Sequence, residues 1–129
     1  MEKTDVVIIG AGIAGIASAY YLQKNFPNLS YRIIESRNSV GGTWDQMRFP
    51  GVRADNDMYT YGFSFDSWNG SIIGNGQEIK NYLSQVTQKF NIKKHILFNT
   101  DVLSLSWKNN EWIIKTDSKK FSSQYVICC

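Results

Sequence analysis

Apolar positions cluster in this chain in patterns that name their own elements. Val6 to Ile9 is a short continuous apolar run of the kind a fully buried strand shows. Ile13, Ile16, Ala17, Ala19, Tyr20 and Leu22 follow with helical character to about Lys24, where Asn25, Pro27 and Asn28 stop it. Tyr31 to Ile34 is a second apolar strand, ending in Glu35. From Asp45 to Gly76 the pattern fades into a stretch rich in Gly, Asn, Asp and aromatics. A segment of that length inside one domain is usually functional, so it is expected to wrap a ligand. Helical period returns at about Gln77: Ile79, Tyr82, Leu83, Val86 and Phe90 fall on one face, with Asn75 and Glu78 placed as a capping box and Asn91 as the stop.

The last third reads as strands. His95 to Phe98 is a short buried one. Asp101–Trp107 and Glu111–Thr116 flank the turn Lys108-Asn109-Asn110 as a hairpin. Lys119–Ser122 is read as a third short strand, and Gln124–Cys129 as a separate buried parallel strand. Strand, helix and strand, then a helix and a hairpin, then a parallel strand, make an α/β, Rossmann-like domain. The whole of 1–129 is expected to be one such domain, incomplete at its C-terminus. In a doubly wound sheet the loop after a strand like Gln124–Cys129 builds part of the ligand site. Val126 to Cys128 are expected to lack the helices that normally cover such a strand, leaving an open edge and poor solubility.

Composition adds limits. With 43% hydrophobic and 19% charged residues the chain is globular. The net charge of +3 comes from scattered basic residues and argues for neither a nucleic-acid nor a membrane partner. No apolar run approaches the roughly 18 residues of a membrane span. Lys3 and Ala17-Ser18-Ala19 resemble parts of a signal peptide, but the glycine spacing explains the same residues better. Cys128 and Cys129 are adjacent, without metal-ligand spacing, which fits a reducing, cytoplasmic setting.

The candidate chemistry sits between the first strand and Glu35. Gly10, Gly12 and Gly15 have G-x-G-x-x-G spacing with a strand before and a helix after. Gly10 makes the tight turn, Gly12 leaves room for a pyrophosphate on the backbone, and Gly15 lets helix and strand approach. The helix N-terminus attracts the negative charge. Glu35, 20 residues past Gly15, is placed to accept hydrogen bonds from the adenosine ribose. It disfavours a 2′-phosphate there, although Arg37 close by softens that exclusion. Read without a ligand, the same glycines make a tight strand–helix turn.

The stretch Gly41 to Phe65, GGTWDQMRFPGVRADNDMYTYGFSF, is more specific than the glycine turn. With it, the chain resembles along nearly its whole length the N-terminal FAD-binding part of the class B flavoprotein monooxygenases. These are the Baeyer–Villiger and flavin-containing monooxygenases, and Phe49 to Arg53 with Asp55 leans toward the former. The resemblance implies that Gly10, Gly12 and Gly15 hold the FAD pyrophosphate and Glu35 the ribose. Gly42, Thr43 and Trp44 would lie along the ribityl chain and flavin edge, with Asp55 and Tyr61 near the flavin ring. Val102 would meet adenine through its backbone, and the hairpin would be the small antiparallel insert of such folds.

Taken alone, Trp44 and Tyr61 read equally as core aromatics, and Phe63, Phe65 and Trp68 are assigned to the core. Asp55 and Asp57 read as turn residues, Asp57 firmly so. Arg48 is a weak anion contact, Arg53 a surface charge, and His95 structural. The family's NADPH turn, histidine fingerprint and catalytic arginine have no counterpart here, so no catalytic residue and no metal site are assigned. NADPH, O₂ and a small-molecule substrate (ketone, sulfide or amine) are implied for the complete enzyme, with a second chain as one source of the missing half. A non-catalytic remnant, a small dinucleotide-binding module and an NAD-type dehydrogenase module remain alternative readings.

Overall fold

A computed structural model describes residues 1–129. One six-stranded mixed sheet organises them, built from β1 (Glu2–Ile9), β2 (Tyr31–Ile34), β3 (Ile96–Leu97), β4 (Val102–Lys108), β5 (Glu111–Thr116) and β6 (Lys120–Cys128). Their order across the sheet is β3-β2-β1-β6-β5-β4. Pairing is parallel from β3 through β6 and antiparallel from β6 to β4. This is the expected Rossmann-like α/β fold with its antiparallel insert.

Two long helices cover one face: α1 (Ile13–Asn25) and, after the short turns α2 (Thr43–Gln46) and α3 (Met58–Tyr61), α4 (Gly76–Lys89). Ile16 and Ala19 of α1 and Ile79, Leu83 and Val86 of α4 share a fully buried core with Ile8 and Ile33. Burying each large aliphatic side chain of this kind contributes about 1.5–3 kcal/mol. Val7, Ile34, Ile114 and Phe121 form a smaller second cluster, into which the insert strands pack.

Local chemistry explains the boundaries. Asn75 caps α4 by accepting the Glu78 amide at 2.9 Å, and its Nδ2 donates to Glu78 Oε1 at 3.0 Å. The cap is therefore reciprocal, though through side chains. The β4–β5 turn is two residues, Asn109 and Asn110, with φ of 51° and 62°. That double left-handed conformation matches the twist of a hairpin, and Asn tolerates it.

Four expectations are corrected. Lys119–Ser122 and Gln124–Cys129 are one strand, because β6 pairs with β1 along its length while β5 lies on its other side from Lys120 to Ser123. Beyond Ser123 that other side carries no strand, and Tyr125 is 63% exposed. The expectation that Val126 to Cys128 lack cover on their faces is not what is seen, since Ile127 packs against the main core and Val126 against the second cluster. The strand read as His95–Phe98 shortens to β3, with His95 in a single 3₁₀ turn stacked on Tyr31 at 4.2 Å. The segment from Asp45 to Gly76 is anchored to the core at a few points and is otherwise largely exposed: Ala54, Met58 and Trp68 join the main core, while Phe63 and Phe65 lie against it.

Candidate dinucleotide site

The end of β1 turns into α1 through Gly10, whose φ of +103° is left-handed backbone that disfavours any side chain. Its amide donates to the Ile34 carbonyl at 2.9 Å, which ties the turn to β2. Gly12 is the N-cap of α1 and offers no side-chain acceptor, and the first turn of α1 carries no acidic residue. The early N–H groups of a helix have no partners within it. Here Ile13, Ala14 and Gly15 line a cavity of about 610 Å³, so the positive end of the helix dipole faces open space.

Glu35 forms one end of that cavity. It is 5% exposed, and its carboxylate accepts the Ala11 amide at 2.7 Å and the Arg37 amide at 2.9 Å. The strand-to-loop geometry thus holds Glu35 as an oriented acceptor on the wall of the cavity it lines. Asn99 and Thr100 pin this corner from below, donating to the carbonyls of Arg37 and Glu35, each at 3.0 Å. Val102 lines the same end, where a register shift between Val102 and Ser104 opens the β4–β5 ladder.

The other wall is the Gly41–Trp44 turn. Gly41 donates to the Ala11 carbonyl at 3.0 Å, drawing this turn against the glycine loop. A Cβ on Gly42 would sit 3.0 Å from Gly12 Cα, so the two turns nearly touch. Thr43, Trp44, Gln46 and Tyr61 complete the wall, with Trp44 Nε1 donating to the Tyr61 hydroxyl at 3.3 Å.

The fold therefore brings Gly10, Gly12, Gly15, Glu35, Gly42, Thr43, Trp44, Tyr61 and Val102 around one cavity. Asp55 is not among its lining residues. Ala54, bonded through its amide to Gly74, is buried in the core, and Asp55 beside it is exposed. Asp57 is the turn residue anticipated, its carboxylate accepting the Thr60 amide as the N-cap of α3. From the long Asp45–Gly76 segment only Gln46 and Tyr61 reach the cavity.

Sequence reasoning missed Asp45. It is fully buried and pairs with Arg37 (2.5 Å), Lys80 (2.6 Å) and Arg48 (2.8 Å) while accepting from Ser39 at 3.0 Å. Arg48 is thereby committed to an internal carboxylate. Burial alone raises the Asp45 pKa, but hydrogen bonds from Lys80, Arg37, Arg48 and Ser39 outweigh it and hold the carboxyl well below its usual 3.8. Its folded pKa lies under its unfolded one, so the stabilisation is complete above about pH 4 and is lost as pH falls further. Asp45→Asn is expected to lower stability at neutral pH by roughly 2–3 kcal/mol, less than a fully buried pair costs because Arg37 and Arg48 reach solvent. It should also flatten the acid limb of a denaturation-versus-pH curve. Parallel acid limbs for native and variant chains would contradict the assignment.

The cavity's features agree with one ligand class. An uncapped helix end, a glycine cradle and an oriented carboxylate suit an adenine dinucleotide, and the volume lies within the roughly 300–1,000 Å³ usual for such sites. No group of His, Cys, Asp and Glu suits a metal ion, and no helix is long and apolar enough to cross a membrane.

Known proteins support the same placement. Residues 8–83, well over half the chain, match the NAD(P)-binding Rossmann-like domain family. The chain is 44% identical over 120 residues to the FAD-containing monooxygenase EthA of Mycobacterium tuberculosis, covering 91% of this chain and 24% of that protein. It is 43% identical to the probable FAD-binding monooxygenase AlmA of an Acinetobacter species, covering all of this chain and 28% of the relative. Among solved structures, an oxidized steroid monooxygenase bound to NADP superimposes with a TM-score of 0.92 at 31% identity, over 98% of this chain and 26% of that one. An open cyclohexanone monooxygenase gives 0.93 at 29% identity, over 100% and 27%. The chain thus spans about a quarter of the length of the curated relatives it matches. A glycine-cradled helix end and a buried carboxylate beside it, at the ends of the parallel strands of a mixed sheet, agree with that match: this chain belongs to the NAD(P)-binding Rossmann-like domain family, with FAD-containing monooxygenases as its relatives.

Proposed function

We propose that this chain is the FAD-binding module of an NADPH-dependent flavin monooxygenase acting on a small molecule such as a ketone, sulfide or amine. The observation that carries this reading is the continuity of the cavity: Glu35 and Val102 at one end, the α1 N-terminus in the middle, Trp44 and Tyr61 at the other. An extended ligand with a nucleoside at one end, a diphosphate at the centre and an aromatic ring beyond matches that order. Likeness to the FAD-containing monooxygenases supports FAD as that ligand.

In this reading each group acts by holding. The N–H groups at the start of α1 take the diphosphate, and Gly12 and Gly42 let it approach the backbone. Glu35 accepts from the ribose hydroxyls, and the Val102 backbone meets the adenine edge. Thr43 and Trp44, with Tyr61 behind, orient the ribityl and ring end and exclude water from it. Asp55 enters by the family likeness alone. Bound FAD supplies the redox chemistry, taking reducing equivalents from NADPH and passing oxygen from O₂ to the substrate. In this proposal residues 1–129 do the holding, and turnover is assigned to the complete enzyme.

Flavin fluorescence titration of the pure chain, run beside an NADPH oxidation assay, tests both halves. Saturable FAD binding weaker than that of full-length relatives, with no NADPH consumed, is expected. Absence of saturable binding would favour a non-catalytic remnant. Sustained NADPH turnover would overturn the modular reading.

A further inference from the structure

The sequence holds two Asn-Gly steps, Asn69-Gly70 between α3 and α4 and Asn75-Gly76 at the start of α4. In such a step the glycine nitrogen can attack the preceding side-chain amide, because no Cβ shields it. The fold puts the two steps in opposite situations. Asn75 is the N-cap of α4: its Oδ1 accepts the Glu78 amide at 2.9 Å, and its Nδ2 donates to Glu78 Oε1 at 3.0 Å. The attacking atom is engaged as well, since the buried Gly76 donates its N–H to the Val52 carbonyl at 2.9 Å. Cyclisation there breaks all of these bonds. Asn69 and Gly70 are both exposed, and neither the Asn69 side chain nor the Gly70 N–H is hydrogen-bonded within the chain. Other atoms pin this loop: the Tyr59 hydroxyl donates to the Gly70 carbonyl at 3.1 Å, and Trp68 Nε1 to the Ser71 carbonyl at 2.8 Å. Packing also demands the glycine. A Cβ on Gly70 would stand 2.6 Å and 2.8 Å from Cζ2 and Cε2 of the Trp68 indole, which is buried in the main core. A side chain that would hinder the attack is thus excluded by the ring beneath it.

We infer that Asn69 is a site of spontaneous deamidation, and that the N-cap geometry protects Asn75 from the same reaction. The Gly70 nitrogen, losing its proton to base, bonds to Asn69 Cγ; the Cγ–Nδ2 bond breaks, ammonia leaves, and a succinimide ring closes. Water then opens the ring at either carbonyl, leaving aspartate or isoaspartate. The sum is asparagine and water to a carboxylic acid and ammonia, with no oxidant, reductant or cofactor. The new carboxylate joins Asp66 and Glu78 on the wall of a second cavity of about 560 Å³. Lys89, the one cation on that wall, is already paired with Asp66 at 2.6 Å. The isoaspartyl product also lengthens the backbone by a carbon between the anchored Trp68 and Gly70. Both changes loosen the seat of Trp68. This inference is independent of the nucleotide reading.

The test is peptide mapping by mass spectrometry while the pure chain is incubated at mildly alkaline pH, both folded and in concentrated urea. In the folded chain, conversion at Asn69 should run at least about tenfold faster than at Asn75, the worth of the cap and amide bonds that Asn75 must break. In urea those bonds are gone, and the two rates should converge. Equal rates in the folded chain, or faster conversion at Asn75, would overturn the inference. So would a difference that persists unchanged in urea, since the flanking residues rather than the fold would then set it. The converted fraction, separated by ion exchange, should melt below the unconverted one. Identical melting would contradict the loosening of Trp68.

Discussion

Gly15→Ala is expected to cost this chain most or all of its stability. A Cβ on Gly15 would stand 1.9 Å from the Gly10 carbonyl oxygen and 3.0 Å from its carbon. Both atoms are backbone, so no rotamer change relieves the overlap. The start of α1 would have to move off β1 by more than an ångström. That shift would open the contact that buries Ile16 and Ala19 against Ile8 and Ile33, all fully buried. Overpacking of this kind costs about 1–3 kcal/mol where side chains adjust, and more where backbone must move. Set against a total of about 5–15 kcal/mol for a domain, a loss above about 3 kcal/mol is expected. Urea denaturation followed by circular dichroism reads it directly. A variant within about 1 kcal/mol of the native chain would mean the helix–strand approach is looser than described.

Gly12→Val should do the reverse, sparing the fold and removing the ligand. Gly12 has φ of −82°, ordinary backbone for any residue, and the atom nearest its missing Cβ is Gly42 Cα at 3.5 Å. That is normal van der Waals separation, so the Cβ itself is tolerated, and an unfavourable N-cap costs about 1 kcal/mol. The branched side chain would instead occupy the gap between the α1 N-terminus and the Gly42 turn, where the diphosphate is expected. FAD affinity should fall at least a hundredfold, or about 2.7 kcal/mol. Unchanged affinity with an intact melting curve would make the glycine turn purely structural. Two glycines three residues apart thus carry opposite consequences, one for the fold and one for the ligand.

The first half of this architecture was legible in the sequence because its determinants are local. The run Val6–Ile9, the glycine spacing and Glu35 lie within one strand–helix–strand unit, and each position has a single steric or hydrogen-bonding reason. The Asn75 cap and the Asn109-Asn110 turn were readable for the same cause. What stayed hidden depends on distant partners. The fusion of two apparent strands into β6 follows from its pairing with β1 about 120 residues earlier, and the polar Ser122-Ser123-Gln124 stretch masks it. α3 is one turn long, too short to show a period. Asp45 looked like any acid in a Gly/Asn-rich stretch; its significance lies in Lys80 on α4, which no spacing rule connects to it. Family likeness placed Asp55 near the ring end, yet the backbone that buries Ala54 leaves Asp55 in solvent.

The most direct measurement is a two-dimensional amide NMR titration of the chain with FAD. Saturable shifts at Gly10, Gly12, Ile13 and Ala14, joined by Glu35, Val102 and the Trp44 indole on a single binding curve, are the predicted result. Shifts confined to other surfaces, or none at all at saturating FAD, would contradict the assignment of this cavity as the flavin site.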